Sequence, residues 1–215
     1  MNEHRIETRR RARYYTAGGD ASVTDAWMVC HGFGQLAGRF MSHFDGIATP
    51  NRLIVAPEAL NRFYLTTDGD GSHAQARVGT TWMTREDRES EIADYVDYLD
   101  AVYRAVIPVN VPLTVLGFSQ GVATAARWTA RGVAAVTRFI AWAGQLPPDV
   151  EPGHLAARVR RPILIVSGND DEHAQWVQLE TQQERLVQAG VAVERRLFNG
   201  GHRLDRATLA ELADG

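Results

Sequence analysis

Short apolar runs alternate with longer amphipathic segments along most of this chain. The apolar runs contain many β-branched residues, which is typical of strands that are covered on both faces. They lie at residues 26–30, 52–56, 113–116, 136–142, 162–167 and 191–198. Strands that alternate with helices predict a mostly parallel sheet with helices on both faces. The chain contains no evident linker or internal repeat, so we expect a single α/β domain over residues 1–215.

Helices fit the segments between these strands. In residues 85–106 the apolar side chains recur at steps of three and four, which predicts an amphipathic helix; they are Ile92, Val96, Leu99, Tyr103 and Val106. Further helices are predicted for the Ala-rich segment that ends before Gly132, for residues 172–188 and for residues 202–212.

The N-terminal part predicts a hairpin. Residues 6–16 and 26–30 both have strand character, and Gly18-Gly19-Asp20 between them is a turn signal. Residues 61–82 contain several glycines and aromatic residues and are predicted to be irregular.

Charge and cysteine content narrow the class of protein. The net charge is −3, from 23 basic and 26 acidic residues, which argues against a nucleic-acid-binding protein. The basic cluster of Arg5 and residues 9–13 is interpreted as part of a solvated edge strand. The sequence has no apolar stretch long enough to predict a membrane span. Cys30 is the single cysteine, so no intrachain disulfide can form, and a cytoplasmic location is expected.

The stretch Gly117-Phe118-Ser119-Gln120-Gly121 fits the pattern G-x-S-x-G. It lies between a predicted buried strand and a predicted helix, the order that a nucleophile elbow requires. In such a turn the serine is strained and its hydroxyl projects above the sheet, at the N-terminus of the following helix. The pattern therefore predicts that Ser119 is a catalytic nucleophile.

A serine nucleophile needs a base, and the base needs an orienting acid. In this arrangement the acid and then the histidine follow the serine along the chain. His202 comes after a predicted strand and a Gly-Gly turn, and it is the best candidate base. Asp170 and Asp171 both follow the strand at 162–167 and both qualify as the acid by position.

An oxyanion hole needs two N–H donors directed at one point. The residue after the nucleophile, Gln120, supplies one backbone N–H. The loop after the strand at 26–30 should supply the other, and Phe33 between Gly32 and Gly34 is the candidate.

The chain resembles the α/β-hydrolases, and within them the phospholipase/carboxylesterase branch that includes acyl-protein thioesterases. The matching motifs are His31-Gly32-Phe33-Gly34, Gly117-Phe118-Ser119-Gln120-Gly121, Gly168-Asn169-Asp170-Asp171 and Gly200-Gly201-His202. The branch has its acid in a Gly-x-x-Asp pattern, so the resemblance implies Asp171, and it places Trp82 beside the substrate cleft. Ser167 departs from the histidine usual in the branch, and Asp-Glu-His replaces its usual Asp-Pro.

The resemblance implies an α/β-hydrolase fold. A chain of 215 residues leaves little room for a large lid, so we expect minimal or no lid. The resemblance also implies a carboxylesterase-like serine hydrolase that cleaves esters or thioesters of small or medium acyl substrates without a cofactor or metal. The expected substrate-binding side chains are Tyr64, Trp82, Met83, Phe118 and Leu204. The expected partner is a small-molecule ester, not nucleic acid, and a homodimer is compatible with the sequence. The alternatives are a peptidase or lactone hydrolase of the same fold, a non-catalytic binding relative, and a flavodoxin-like phosphate binder, which the lack of a P-loop lysine disfavours.

Overall fold

The computed structural model describes residues 1–20, 22–65, 76–173 and 179–215. The strands are β1 (Tyr14–Ala17), β2 (Asp25–Cys30), β3 (Arg52–Pro57), β4 (Asn61–Tyr64), β5 (Val78–Thr81), β6 (Leu113–Phe118), β7 (Arg138–Trp142), β8 (Ile163–Gly168) and β9 (Val193–Phe198). The helices are α1 (Ala37–Met41), α2 (Arg88–Val106), α3 (Gln120–Arg131), α4 (Pro152–Ala157), α5 (Leu179–Gln188) and α6 (Arg206–Asp214), and a 3₁₀ turn follows α1 at Ser42–Phe44.

Seven strands form one sheet in the order β1-β3-β2-β6-β7-β8-β9. All neighbouring pairs are parallel except the edge pair of β1 with β3. The predicted mostly parallel sheet is therefore confirmed. Because the parallel strands point the same way, the loops after β2, β6, β8 and β9 all emerge at the carboxyl ends of the strands. Ligands bind at these ends in open α/β sheets.

Alternate residues of each strand face opposite sides of the sheet, and each side carries its own apolar core. In β2, Met28 and Cys30 contribute to one core, while Trp27 and Val29 contribute to the other. Helices α2, α3, α4 and α5 cover the first face, and α1 and α6 cover the second. Both faces are thus covered by helices, as predicted.

The predicted N-terminal hairpin is wrong. β1 pairs with β3, not with β2, and Tyr14 lies opposite Pro57 while Ala17 lies opposite Ile54. The predicted strand at 6–16 is also too long, since regular structure begins at Tyr14. β2 is already paired on both edges with β3 and β6, so no edge of β2 is left for β1.

Two other segments differ from their predictions. Residues 61–82 include an antiparallel pair, β4 with β5, so part of that segment is regular; the rest of it, 66–75, lies outside the described residues. The last helix begins at Arg206 rather than 202, because the Asp205 carboxylate accepts a hydrogen bond from the Thr208 N–H (3.0 Å) and caps it there. The helix predicted at 172–188 is described from Leu179 to Gln188, and Glu172 and His173 lie in a turn before it.

Candidate active site

Ser119 lies at the sharp turn between β6 and α3. Its backbone angles are φ 53° and ψ −120°, a conformation that costs a non-glycine residue about 1–3 kcal/mol. The two flanking glycines are required by space: a Cβ on Gly117 would lie 2.4 Å from the Gly121 carbonyl oxygen, and one on Gly121 would lie 2.2 Å from the Cys30 oxygen. The turn holds the Ser119 side chain at the N-terminus of α3, where free N–H groups favour negative charge.

His202 and Asp171 meet above the ends of β8 and β9. His202 Nδ1 lies 2.9 Å from Asp171 Oδ2 and 3.1 Å from Oδ1. The Asp171 side chain is 1% exposed and that of His202 is 18% exposed, so water competes little for this pair. The end of β8 and the loop after β9 pack closely against each other. A Cβ added to Gly168 would lie only 2.0 Å from the Gly200 carbonyl oxygen, so no side chain fits there.

Asp170 has a different environment from Asp171. It is exposed, and its backbone N–H donates to the Gly200 carbonyl (3.0 Å), which joins the two loops. The structure therefore brings Asp171, and not Asp170, into contact with His202.

Ser119 and His202 line the same two cavities, of about 220 and 630 Å³. Within the part of the chain that the structure describes, no hydrogen bond joins Ser119 Oγ to His202 Nε2. Such bonds are often long in unliganded enzymes and shorten when substrate binds. Because Nδ1 contacts Asp171, Nε2 is the His202 nitrogen that remains for a proton from Ser119.

Two backbone N–H groups lie beside Ser119 without acceptors. Neither the Phe33 nor the Gln120 N–H donates a hydrogen bond within the described residues. The loop that carries Phe33 lies close to Ser119, since a Cβ added to Gly32 would lie 3.2 Å from Ser119 Cβ. These two donors can therefore serve an oxyanion that forms at a carbonyl attacked by Ser119.

Side chains that the sequence analysis did not assign hold these donors in place. Gln35 Oε1 accepts a hydrogen bond from the Gly32 N–H (2.7 Å) and so fixes the loop. The side-chain amide of Gln120, through Nε2, donates to Thr81 Oγ1 (2.9 Å) and to the Met83 carbonyl (3.1 Å). Gln35 directly follows the His31–Gly34 motif, and that position was the signal available in the sequence.

Gly144 and His173 also lie at the site, although the sequence pattern assigned neither residue a role there. A Cβ on Gly144 would lie 2.3 Å from the Ser119 carbonyl oxygen. The ring centroids of His173 and His202 are 4.5 Å apart, edge to face, and the His173 N–H donates to Asp171 Oδ1 (2.8 Å). Both residues follow parallel strands at the same sheet edge as Ser119, which is the signal that could have found them.

The expected substrate-binding residues divide into two groups. Phe118 and Leu204 line the 220 Å³ cavity beside Ser119. Trp82, Met83 and Tyr64 line neither cavity that contains Ser119. No segment among the described residues forms a separate lid over these cavities.

Trp82 does not match its expected place in the cleft wall. Its side chain is 1% exposed and packs in the core, and its Nε1 donates to the His31 carbonyl (2.8 Å). The large aromatic ring is buried beneath the loop that begins at His31 and is hydrogen-bonded to its backbone. Met83 is half-buried against the same core, and Tyr64 is 51% exposed on β4.

The described residues include no group of three or more His, Cys, Asp or Glu side chains that could hold a metal ion. Burial raises the pKa of the Cys30 thiol to about 12, so this thiol, next to the oxyanion loop, is protonated at neutral pH. No helix in the described ranges has the length and apolar character needed to cross a membrane.

No protein-family model matches this sequence, and no curated protein matches it either. Solved structures are similar to it over nearly the whole chain. A carboxylesterase from Mesorhizobium loti has 18% identity and a TM-score of 0.71, with 95% of each chain covered. The acyl-protein thioesterase 2 of Zea mays has 17% identity and a TM-score of 0.69, and esterase PE8 has 18% and 0.68; each covers 95% of this chain and 97% of its own.

The protein has the α/β-hydrolase fold. The fold class predicted from the sequence is therefore confirmed. In this α/β-hydrolase fold, Ser119, Asp171 and His202 follow β6, β8 and β9, all at the same edge of the sheet.

Proposed function

We propose that this protein is a serine hydrolase that cleaves carboxylic ester or thioester bonds of small and medium acyl substrates. The observation that carries the proposal is the His202 imidazole, held by the buried Asp171 carboxylate at 2.9 Å, on the same cleft as the strained Ser119. The esterases and the thioesterase of similar fold support the same class of reaction. Among the described residues that line the cleft, no contact favours a peptide or lactone over a simple ester.

The proposed reaction proceeds through an acyl-enzyme. His202 Nε2 takes the Ser119 proton as the oxygen attacks the substrate carbonyl, and Asp171 holds the ring so that Nδ1 carries the other proton. The Phe33 and Gln120 N–H groups stabilise the tetrahedral oxyanion. His202 then protonates the leaving alcohol or thiol, and water attacks the acyl-enzyme by the same steps in reverse.

A fluorophosphonate probe tests the nucleophile directly. We expect one adduct by intact mass, located on Ser119 by peptide mapping, and no adduct on Ser119→Ala. With a panel of nitrophenyl esters and thioesters, Ser119→Ala should lower kcat by about 10⁴ or more. The exposed Ser42 provides a matched control, and Ser42→Ala should keep both labelling and turnover. Near wild-type turnover by folded Ser119→Ala would rule out the proposed mechanism.

A further inference from the structure

The two sides of the cleft differ in chemistry. The 630 Å³ cavity is lined largely by apolar groups, among them Ala123, Leu146 and Pro147. Arg127, the arginine among its described lining residues, is already bound by the Asp149 carboxylate at 2.7 and 2.9 Å. This side of Ser119 therefore suits a hydrocarbon group of a substrate, because burying apolar surface there is favourable and no free charge opposes it.

The cavity on the other side of Ser119 adjoins a third cavity. The 220 Å³ cavity beside Ser119 shares Gln35, Phe40 and His43 with a neighbouring cavity of about 170 Å³. Arg39 and Arg77 line that third cavity. The shared walls place the two arginines along one concave path that begins at the nucleophile.

Among the residues that the structure describes, no carboxylate lines this path. The described lining residues of its two cavities include Arg39, Arg77, Arg203 and His43, but no Asp or Glu. Arg203 has an acidic partner, because its guanidinium lies 3.0 Å from Asp205. This excess of positive charge is local, since the whole chain carries a net charge of −3.

Arg39 and Arg77 differ from most arginines of the protein in lacking a partner. Within the described ranges, neither guanidinium makes a hydrogen bond or an ion pair. By contrast, Arg13, Arg52 and Arg127 each contact a carboxylate. A guanidinium presents a planar set of N–H donors that matches the oxygens of a carboxylate or phosphate, so two free ones in a concave wall favour an anion there.

We infer that the natural substrate carries an anionic group, a carboxylate or phosphate, which Arg39 and Arg77 bind while the apolar arm of the same ester occupies the 630 Å³ cavity. The inference rests on the proposed function, because it requires that Ser119 attacks an ester carbonyl between the two arms. Arg39 and Arg77 determine specificity and take no part in bond breaking. The anionic group belongs to either the acyl arm or the alcohol arm, and matched substrates distinguish the two.

Carboxylate and carboxamide pairs isolate the charge, because the two groups have nearly the same size. The alcohol-arm pair is the butyrate ester of 3-(hydroxymethyl)benzoate and that of its carboxamide. The acyl-arm pair is the 4-nitrophenyl monoester of adipic acid and that of adipamic acid. A phosphate in place of the benzoate carboxylate distinguishes the two kinds of anion. For one pair, we expect wild-type kcat/KM to favour the charged member by about tenfold at low salt and less at high salt.

The double variant Arg39→Gln and Arg77→Gln tests the assignment to these residues. It should lose the preference for the charged ester and leave kcat/KM for the carboxamide unchanged. Arg160→Gln is the matched control, since Arg160 is also exposed and precedes β8 at the opposite edge of the sheet. A wild-type enzyme with no preference for either charged ester, or a preference that survives in the double variant, would overturn the inference.

Binding separates failure of the subsite from failure of the proposed reaction. In one of the two pairs, the charged member should bind the inactive Ser119→Ala protein about tenfold more tightly than the carboxamide. The charged member is the butyrate ester of 3-(hydroxymethyl)benzoate in the alcohol-arm pair and the 4-nitrophenyl monoester of adipic acid in the acyl-arm pair. The Arg39→Gln and Arg77→Gln changes should abolish that difference. Hydrolysis of the neutral esters without any charge-dependent binding leaves the proposed function intact and refutes the anion subsite. Charge-dependent binding without hydrolysis by the wild type supports the subsite and refutes the proposed reaction.

Discussion

Acidification should destabilise this protein through His31, whose imidazole is fully buried at the end of β2. The ring donates from Nδ1 to the Gly32 carbonyl (2.8 Å), and its Nε2 accepts the Ala59 N–H (3.0 Å). A proton on Nε2 would break the Ala59 bond and create a buried charge. Burial therefore lowers the pKa of His31 from 6.5 to about 4, although the Gly32 carbonyl and the Glu58 carboxylate favour the charged ring.

The sign and size of the effect follow from proton binding in the two states. Between pH 6.5 and 4 the unfolded chain binds a proton at His31 that the folded chain does not bind, so stability falls as the pH falls. With these pKa values the loss is about 2 kcal/mol on going from pH 7 to pH 5, and about 3 kcal/mol by pH 4. Below the folded-state pKa both states are protonated, and the loss contributed by this residue levels off.

The test compares the pH dependence of unfolding in wild type and His31→Gln. Urea unfolding followed by tryptophan fluorescence gives the free energy of unfolding at each pH from 7 to 4.5. Glutamine retains an acceptor for the Ala59 N–H but cannot titrate. The free energy of unfolding of the variant should therefore be lower than that of wild type at pH 7, but between pH 7 and pH 5 it should fall by about 2 kcal/mol less. His154→Gln removes an exposed imidazole instead, and its curve should remain parallel to wild type.

Parallel curves for His31→Gln and wild type would refute the reasoning. Should the variant fail to fold, the imidazole resonances of the wild type give the same information. The His31 ring should show no chemical-shift titration between pH 8 and about 5.5. A midpoint near the ordinary value of 6.5 would mean that burial does not hold this ring neutral.

Three further results are expected. Asp171→Asn should lower kcat for a simple ester by about 10² to 10⁴, because the base loses its orienting carboxylate, whereas Asp170→Asn should lower it less than about tenfold. A larger loss of steady-state kcat in Asp170→Asn than in Asp171→Asn would identify Asp170 as the acid. Iodoacetamide at neutral pH should leave Cys30 unmodified by intact mass and turnover unchanged, since burial raises the pKa of this thiol to about 12; inactivation in step with alkylation would contradict this. Asp149→Ala should lower the free energy of unfolding by about 3–5 kcal/mol, because Arg127, with its side chain 6% exposed, loses its charged partner; unchanged urea unfolding would show that the pair contributes little.

The strand–turn–helix around Ser119 could be predicted from the sequence because its requirements are largely local. The turn needs a strand, a strained residue and a helix in direct succession, and five consecutive residues from Gly117 to Gly121 meet this need. A side chain at Gly117 would collide with the backbone of Gly121 only four residues later. The alternation of strands and helices was predictable for the same reason, since it depends on periodicity within each segment.

Other features were decided only by contacts between distant segments. The strand that begins at Tyr14 pairs with β3 because β2 is enclosed by β3 and β6, and no local pattern records which edge is free. Trp82 lies in the core and not in the cleft, and its indole N–H donates a hydrogen bond to the buried His31 carbonyl, which lets this polar group be buried.

The site shows the same division between local and distant requirements. The sequence by itself determined that Ser119, an aspartate and His202 follow strands in an order suited to catalysis. By position it left Asp170 and Asp171 as alternatives, because two adjacent residues on one loop differ little in spacing, and the resemblance to the phospholipase/carboxylesterase branch implied Asp171. The tertiary structure separates the two residues: the Asp171 carboxylate contacts His202, whereas Asp170 is exposed. Which carboxylate meets the histidine depends on how two loops from separate strands pack together, and spacing along one chain does not specify it.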